Sequence, residues 1–119
     1  MINKTGLLGE RAAAHYLREK GYTVMAVNFY SRTGEVDIIA EDFKYTCFIE
    51  VKTRTQGGMN EPRDSVGREK QRKIKLAADF YLLSHDSGLI PRFDIIEVLI
   101  KPDMFFEISE INHIEGAFI

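Results

Sequence analysis

Asp37 lies in the run Glu35-Val36-Asp37-Ile38-Ile39-Ala40, and Glu50 and Lys52 are separated by one apolar residue in Phe48-Ile49-Glu50-Val51-Lys52. In an extended chain alternate residues share a face, so Glu50 and Lys52 project with Phe48, while Ile49 and Val51 turn to the opposite, core side. Two carboxylates with an adjacent amine are a donor set for a hard divalent cation such as magnesium or manganese. Such a set would make a metal site with an adjacent cation.

Between these runs, Glu41-Asp42-Phe43-Lys44-Tyr45 offers a charged turn, which predicts an antiparallel hairpin. With a loop of about four residues, Ala40 faces Cys47, Asp37 faces Glu50 and Glu35 faces Lys52. Opposed residues bring their Cβ atoms to roughly 4.5–5.5 Å. Two carboxylates at that separation repel unless something cationic lies between them. The competing use of the same residues is an exposed cross-strand ion pair, Glu35 with Lys52, worth less than about 1 kcal/mol. Acid-x-lysine spacing is common by itself: Asp42-Phe43-Lys44 repeats it in the turn, with no carboxylate opposite. The opposed Asp37 sets the second occurrence apart.

Positioning these residues falls to the neighbouring elements. Residues 6–20 read as a first helix, with Thr5 as its cap and Gly21 as its stop. Gly6, Gly9, Ala13, Tyr16 and Leu17 fall on one side of it, small enough to lie close to a sheet, and Glu10 borders that stripe. Glu10 is therefore a third candidate carboxylate, with a plain surface position as its alternative. Residues 22–30 have strand composition and end in the turn Ser31-Arg32-Thr33-Gly34, giving a three-stranded meander. The segment 53–62 is polar and glycine-rich, and its two glycines lack the lysine and hydroxyl residue of a phosphate loop.

From about Asp64 to His85 the apolar stripe Val66, Ile74, Ala77, Ala78, Tyr81 and Leu82 predicts a second helix. Lys70 falls inside that stripe, where it either snorkels to solvent, the favoured reading, or delivers its ammonium to a polar cleft. Residues 92–100 resume strand character, Asp94 pairs most simply with Arg92, and after Lys101-Pro102-Asp103 residues 104–108 pair back. The strand–helix–strand passage is long enough for a crossover, so an α/β fold with a mixed sheet flanked by helices is expected.

At 119 residues, with 45% hydrophobic and 29% charged residues, the chain reads as a single domain over 1–119. It has no signal-peptide core and no run of about 18 apolar residues, so a cytoplasmic protein without membrane contact is expected. The one cysteine, Cys47, belongs to the buried face, and His15, His85 and His113 lack zinc-site spacing. Net charge is only −2, yet residues 52–75 hold eight lysines and arginines against three carboxylates. Arg54, Arg68, Lys70, Arg72 and Lys73 are thereby candidates for contact with a phosphate backbone, against the alternative of a solvated helix face.

Taken in order, Gly9-Glu10, Gly34-Glu35-Val36-Asp37-Ile38-Ile39-Ala40, Phe48-Ile49-Glu50-Val51-Lys52-Thr53-Arg54, Pro62 with Lys70, Arg92-Phe93-Asp94 and His113-Ile114-Glu115-Gly116-Ala117-Phe118 resemble the YraN family over nearly the whole chain. That family looks like a branch of the PD-(D/E)xK nuclease superfamily, close to archaeal-type Holliday junction resolvases; the signature's proline is Val36 here. The resemblance implies a restriction-endonuclease-like central mixed β-sheet flanked by helices. It implies Asp37 and Glu50 as ligands of Mg2+ or Mn2+, with the Val51 backbone carbonyl, Lys52 as the catalytic amine and Glu10 as an auxiliary ligand. The implied activity is phosphodiester hydrolysis in DNA, branched DNA included, and a homodimer would suit a junction substrate. A non-catalytic nucleic-acid-binding module and a protein-partner adaptor are the competing functions.

Overall fold

Small residues on one helix and an apolar stripe on the other let both lie flat against a sheet that is buried on its two faces. The computed structural model describes residues 4–57, 66–103, 105 and 107–119. Its elements are α1 (Lys4–Glu19), β1 (Thr23–Ser31), β2 (Gly34–Glu41), β3 (Tyr45–Thr55), α2 (Arg68–Leu82), β4 (Ile90–Ile100) and β5 (Ile108–Phe118). The five strands form one sheet in the order β1-β2-β3-β4-β5. Strands β1 to β3 make the expected antiparallel meander, β3 and β4 run parallel on either side of the α2 crossover, and β5 returns antiparallel. This is the expected α/β mixed sheet with flanking helices, consistent with a restriction-endonuclease-like architecture.

On one face, Ala13, Ala14 and Leu17 of α1 pack on Ile38, Ala40, Cys47 and Ile49. On the other, Ile74, Ala77, Ala78 and Tyr81 of α2 pack on Val36, Ile39, Phe48 and Phe118. Alternation along β3 thus divides Phe48 from Cys47 and Ile49 as the pattern requires. Cys47 is fully buried, and burial pushes its thiol up to about 12, so it is an inert core residue. No helix among the described residues is long and apolar enough to cross a membrane.

Several sequence expectations are corrected. Thr5 lies inside α1 instead of capping it, since the helix already includes Lys4; Gly21, at φ 96°, ends it as expected. Helix α2 begins at Arg68, because Gly67 is extended, at ψ 157°. The strand after β4 is Ile108–Phe118, far beyond residues 104–108. Phe118 packs in the core, whereas Phe105 is exposed. The expectations placed on residues 58–62 of the polar loop, Pro62, the helix start at Asp64 and Met104 lie outside the described residues.

Candidate functional site

The hairpin register places the two carboxylates. Strands β2 and β3 pair from Glu41↔Thr46 through Ala40↔Cys47 to Ile38↔Ile49, the register read from the turn length. Beyond the last pair, Asp37 Oδ2 accepts the Val51 backbone N–H at 2.8 Å. The Asp37 side chain therefore spans the point where the ladder stops. The turn that fixes this register is itself clamped: Asp42 Oδ1 accepts the backbone N–H groups of Lys44 and Tyr45 at 2.8 and 2.7 Å.

Glu50 follows on β3 as a buried acid, and its counter-charge comes from α2. Lys70 Nζ lies 2.7 Å from Glu50 Oε1. Lys70 thus delivers its ammonium to a polar cleft, and the snorkelling reading is corrected: a short path to a buried carboxylate outcompetes full solvation. Burial works against the Lys70 charge, but the hydrogen bond and charge of Glu50, with Asp37 and Glu35 nearby, hold its pKa above the ordinary lysine value.

Glu10 reaches the site because α1 approaches β3 closely at Gly9. A Cβ there would come within 1.8 Å of Thr53 Oγ1, so glycine allows the contact. Glu10, Asp37, Glu50, Val51 and Thr53 line one cleft of about 280 Å³. Asn28 Nδ2 donates to Glu10 Oε1 at 3.3 Å. Asn28 sits in the left-handed region at φ 54°, between the pairs Val27↔Ile38 and Phe29↔Val36 and hence abreast of Asp37. Asparagine tolerates that conformation and is depleted in strands. Its presence in Thr23–Ser31 was the signal that could have marked it.

Burial first, and then the charge of Glu50, push the Asp37 carboxyl up to about 7, with Glu10 adding to the rise; the Val51 N–H and Lys70 oppose it. These three acids crowd a partly desolvated site, and a divalent cation would relieve that crowding. Among the described residues, no three His, Cys, Asp or Glu side chains converge as a ready-made ion cage. The donor chemistry nevertheless fits magnesium or manganese: hard carboxylate oxygens, no thiolate or imidazole, and unbalanced negative charge.

Lys52 lies half-buried on the Glu50 side of β3, and its Cα pairs with Glu97 of β4. Among the described residues it is not in the lining of the Glu10–Asp37–Glu50 cleft. Glu97 is a buried acid that sequence reasoning passed over; it accepts from Asn112 Nδ2 at 3.0 Å. Arg54 shares the Lys52 face of β3, by alternation. On α2, Arg68, Lys70 and Lys73 are exposed, while Arg72 donates to both Glu69 oxygens at 3.2 and 2.6 Å. Of these basic residues Lys70 reaches the carboxylate cleft, through Glu50, while Arg72 is already engaged on its own helix.

A second buried polar cluster lies on β4. Arg92 donates to Asp94 at 2.9 and 2.8 Å, as the sequence suggested, and the Gly116 N–H donates at 3.0 Å. His113 Nε2 stands 2.8 Å from Asp94 Oδ2, and its Nδ1 is 3.2 Å from Tyr16 Oη of α1. This cluster pins β5 and α1 to β4 and supplies the partners that a fully buried aspartate requires.

Comparison with known sequences matches residues 9–98 to the model of the family described as "Uncharacterised protein family UPF0102". A UPF0102 protein of Alkaliphilus oremlandii is 40% identical over 121 residues, covering 99% of this chain and 100% of the relative. One from Caldanaerobacter subterraneus subsp. tengcongensis is 41% identical, covering 98% of each chain. One from Chlorobaculum tepidum is 44% identical, covering 96% of this chain and 91% of the relative.

Proposed function

The chain belongs to the UPF0102 family, and from its site we propose that it is a metal-dependent nuclease hydrolysing phosphodiester bonds of DNA, branched DNA included. The observation that carries this reading is that Asp37, Glu50 and Glu10 line one cleft beside a basic helix whose Lys70 reaches Glu50. Asp37, Glu50 and the Val51 carbonyl would hold magnesium or manganese, with Glu10 as an auxiliary acid. When bound, the ion supplies Lewis-acid charge at the scissile phosphate and acidifies water. Asp37 is fixed for this task by the Val51 N–H. Lys52 positions water or stabilises negative charge developing on the phosphate. An amine whose ordinary pKa is about 10.4 serves that role better than the role of general base. Arg54, Arg68, Lys70 and Lys73 hold the strand by its phosphates, with Arg72 beside them.

A second reading, a nucleic-acid-binding module without cleavage, is favoured by one observation: the Lys70 ammonium already neutralises Glu50. Incubation with Mg2+ or Mn2+ and single-stranded, duplex, flapped and four-way-junction DNA separates the two. The nuclease reading expects cleavage by the wild-type chain and its loss in folded Asp37→Asn, Glu50→Gln and Lys52→Ala. Binding without cleavage anywhere, or equal cleavage by those variants, sinks it.

A further inference from the structure

We propose that the cleft between the β1–β2 turn and α2 binds one unpaired nucleotide of a strand whose backbone continues into the Asp37–Glu50 site, so that the preferred substrate has a single-stranded segment beside the reacting phosphate. This rests on the phosphodiester reading above and deepens it.

The cleft encloses about 670 Å³, within the range of roughly 300–1,000 Å³ typical of small-ligand sites. Tyr30 stands on one wall with 67% of its surface exposed, and the buried Ile74 contributes to the opposite, helical wall. Arg32, Lys70 and Lys73 supply positive charge around it. Two acids, Glu35 and Glu69, share the lining; Glu69 is neutralised by Arg72, and Glu35 acts electrostatically on Lys70. An exposed aromatic ring and an apolar side chain lining one cleft, bordered by cations, are complementary to a nucleobase with its phosphate. The two walls are locked together where Gly34 meets the Lys73 carbonyl, with room for no Cβ. The cleft is thus formed in advance of binding.

Continuity with the carboxylates gives the cleft its meaning. Tyr30 and Glu35 also line an adjoining hollow of about 540 Å³ whose other walls include Glu10, Asn28 and Asp37. Lys70, in turn, belongs to the first cleft and touches Glu50. A base on Tyr30 and a phosphate at Asp37 therefore occupy one trough. Within a duplex both π-faces of a base are covered by its neighbours, so an aromatic wall can stack only on a base that has left the helix or was never paired.

The test uses the full chain in EDTA, where binding is read without cleavage, and short oligonucleotides carrying 2-aminopurine at successive positions, single-stranded or annealed. Wild type and Tyr30→Phe should quench the probe at one position of the single strand, whereas Tyr30→Ala should bind that strand roughly 10-fold more weakly with duplex affinity unchanged. Equal single-strand affinity of Tyr30→Ala and wild type, or quenching at no position, overturns the cleft. The two proposals then part in magnesium or manganese. Cleavage of every strand type unaffected by Tyr30→Ala removes the cleft and leaves the nuclease; Tyr30-dependent binding without any cleavage keeps the cleft and removes the nuclease. Failure to bind any nucleic acid overturns both.

Discussion

Lys70 on α2 and Glu50 on β3 meet at 2.7 Å, joining an exposed helical lysine to a buried strand carboxylate that is only 9% exposed. The pair crosses from the basic helix to the centre of the acidic cleft. Glu10 and Asp37 lie close by and add to the negative charge that the ammonium faces.

Removing the ammonium leaves Glu50 buried without its counter-charge. Lys70→Ala is expected to lose roughly 1–3 kcal/mol of stability in EDTA, and Lys70→Arg to lose less. Magnesium should raise the melting temperature of Lys70→Ala by more than that of wild type, since the ion then supplies the missing charge. Thermal unfolding of the three proteins with and without magnesium checks this; equal melting temperatures in EDTA would show that the pair contributes nothing.

Asp37 gives a pH signature of opposite sign to the usual carboxylate. Its folded-state value, about 7, lies above the ordinary 3.8, so between those limits the native state holds a proton that the unfolded chain has released. Its contribution to stability is therefore greatest below about pH 4, falls as pH rises and is lost once pH passes about 7. Asp37→Asn keeps an oxygen for the Val51 N–H and removes the titration. The variant should exceed wild type by on the order of 2 kcal/mol at about pH 8, with the gap closing towards about pH 4. Urea unfolding at the two pH values decides; a gap independent of pH refutes the assignment.

The parts of this site that the sequence made legible are those governed by local rules. A charged turn and period-two alternation placed Ala40 opposite Cys47, but the ladder ends at Ile38↔Ile49, short of the expected facing pairs Asp37 with Glu50 and Glu35 with Lys52, although the charge of Glu50 still acts on Asp37. Small residues on α1 announced the close approach that brings Glu10 in. The Lys70 contact stayed open because helical periodicity places its Cβ but says nothing of a long side chain's end. Strand β5 was missed for a different reason: Ile108–Phe118 interleaves polar and apolar residues without clean alternation. Its polar members answer acids on β4, His113 to Asp94 and Asn112 to Glu97. Two acids within the apolar run Ile90–Ile100 were the available signal, because such acids in a central strand require partners from elsewhere.

The Asp94 cluster predicts its own pH dependence. Burial pushes its carboxyl up, but the bonds from His113, Arg92 and Gly116 outweigh that and hold it below the ordinary range. The resulting stability is present above the unfolded value near 3.8 and is lost as pH falls through the lower folded value. Asp94→Ala should cost roughly 3–5 kcal/mol at neutral pH, because it strands the Arg92 guanidinium, and progressively less in strong acid. Pairing it with Arg92→Leu should cost less than the two single changes added together. Chemical unfolding of the four proteins measures that coupling, and simple additivity would dismiss the cluster as a unit.

Two glycines that hold the helices against the sheet make a sharper comparison. In the middle of a helix, Gly→Ala ordinarily gains up to about 1 kcal/mol from propensity, so an open site at Gly9 would make Gly9→Ala stabilising. Here the new Cβ would lie 1.8 Å from Thr53 Oγ1 and 3.0 Å from Thr53 Cβ. Gly9→Ala should instead destabilise by roughly 1–3 kcal/mol. Adding Thr53→Ala removes the hydroxyl but leaves the Cβ, so it should restore part of the loss. At Gly34 the obstacle is the Lys73 backbone carbonyl, 2.7 Å from the new Cβ, which no side-chain truncation removes. Gly34→Ala should therefore destabilise to a similar extent, with Lys73→Ala giving no rescue. Double-mutant cycles for both pairs distinguish the cases: strong coupling for Gly9 with Thr53, and near-additivity for Gly34 with Lys73. A stabilised Gly9→Ala would mean that α1 stands further from β3 than the contact with Thr53 requires, and Glu10 would then lose its place over Asp37.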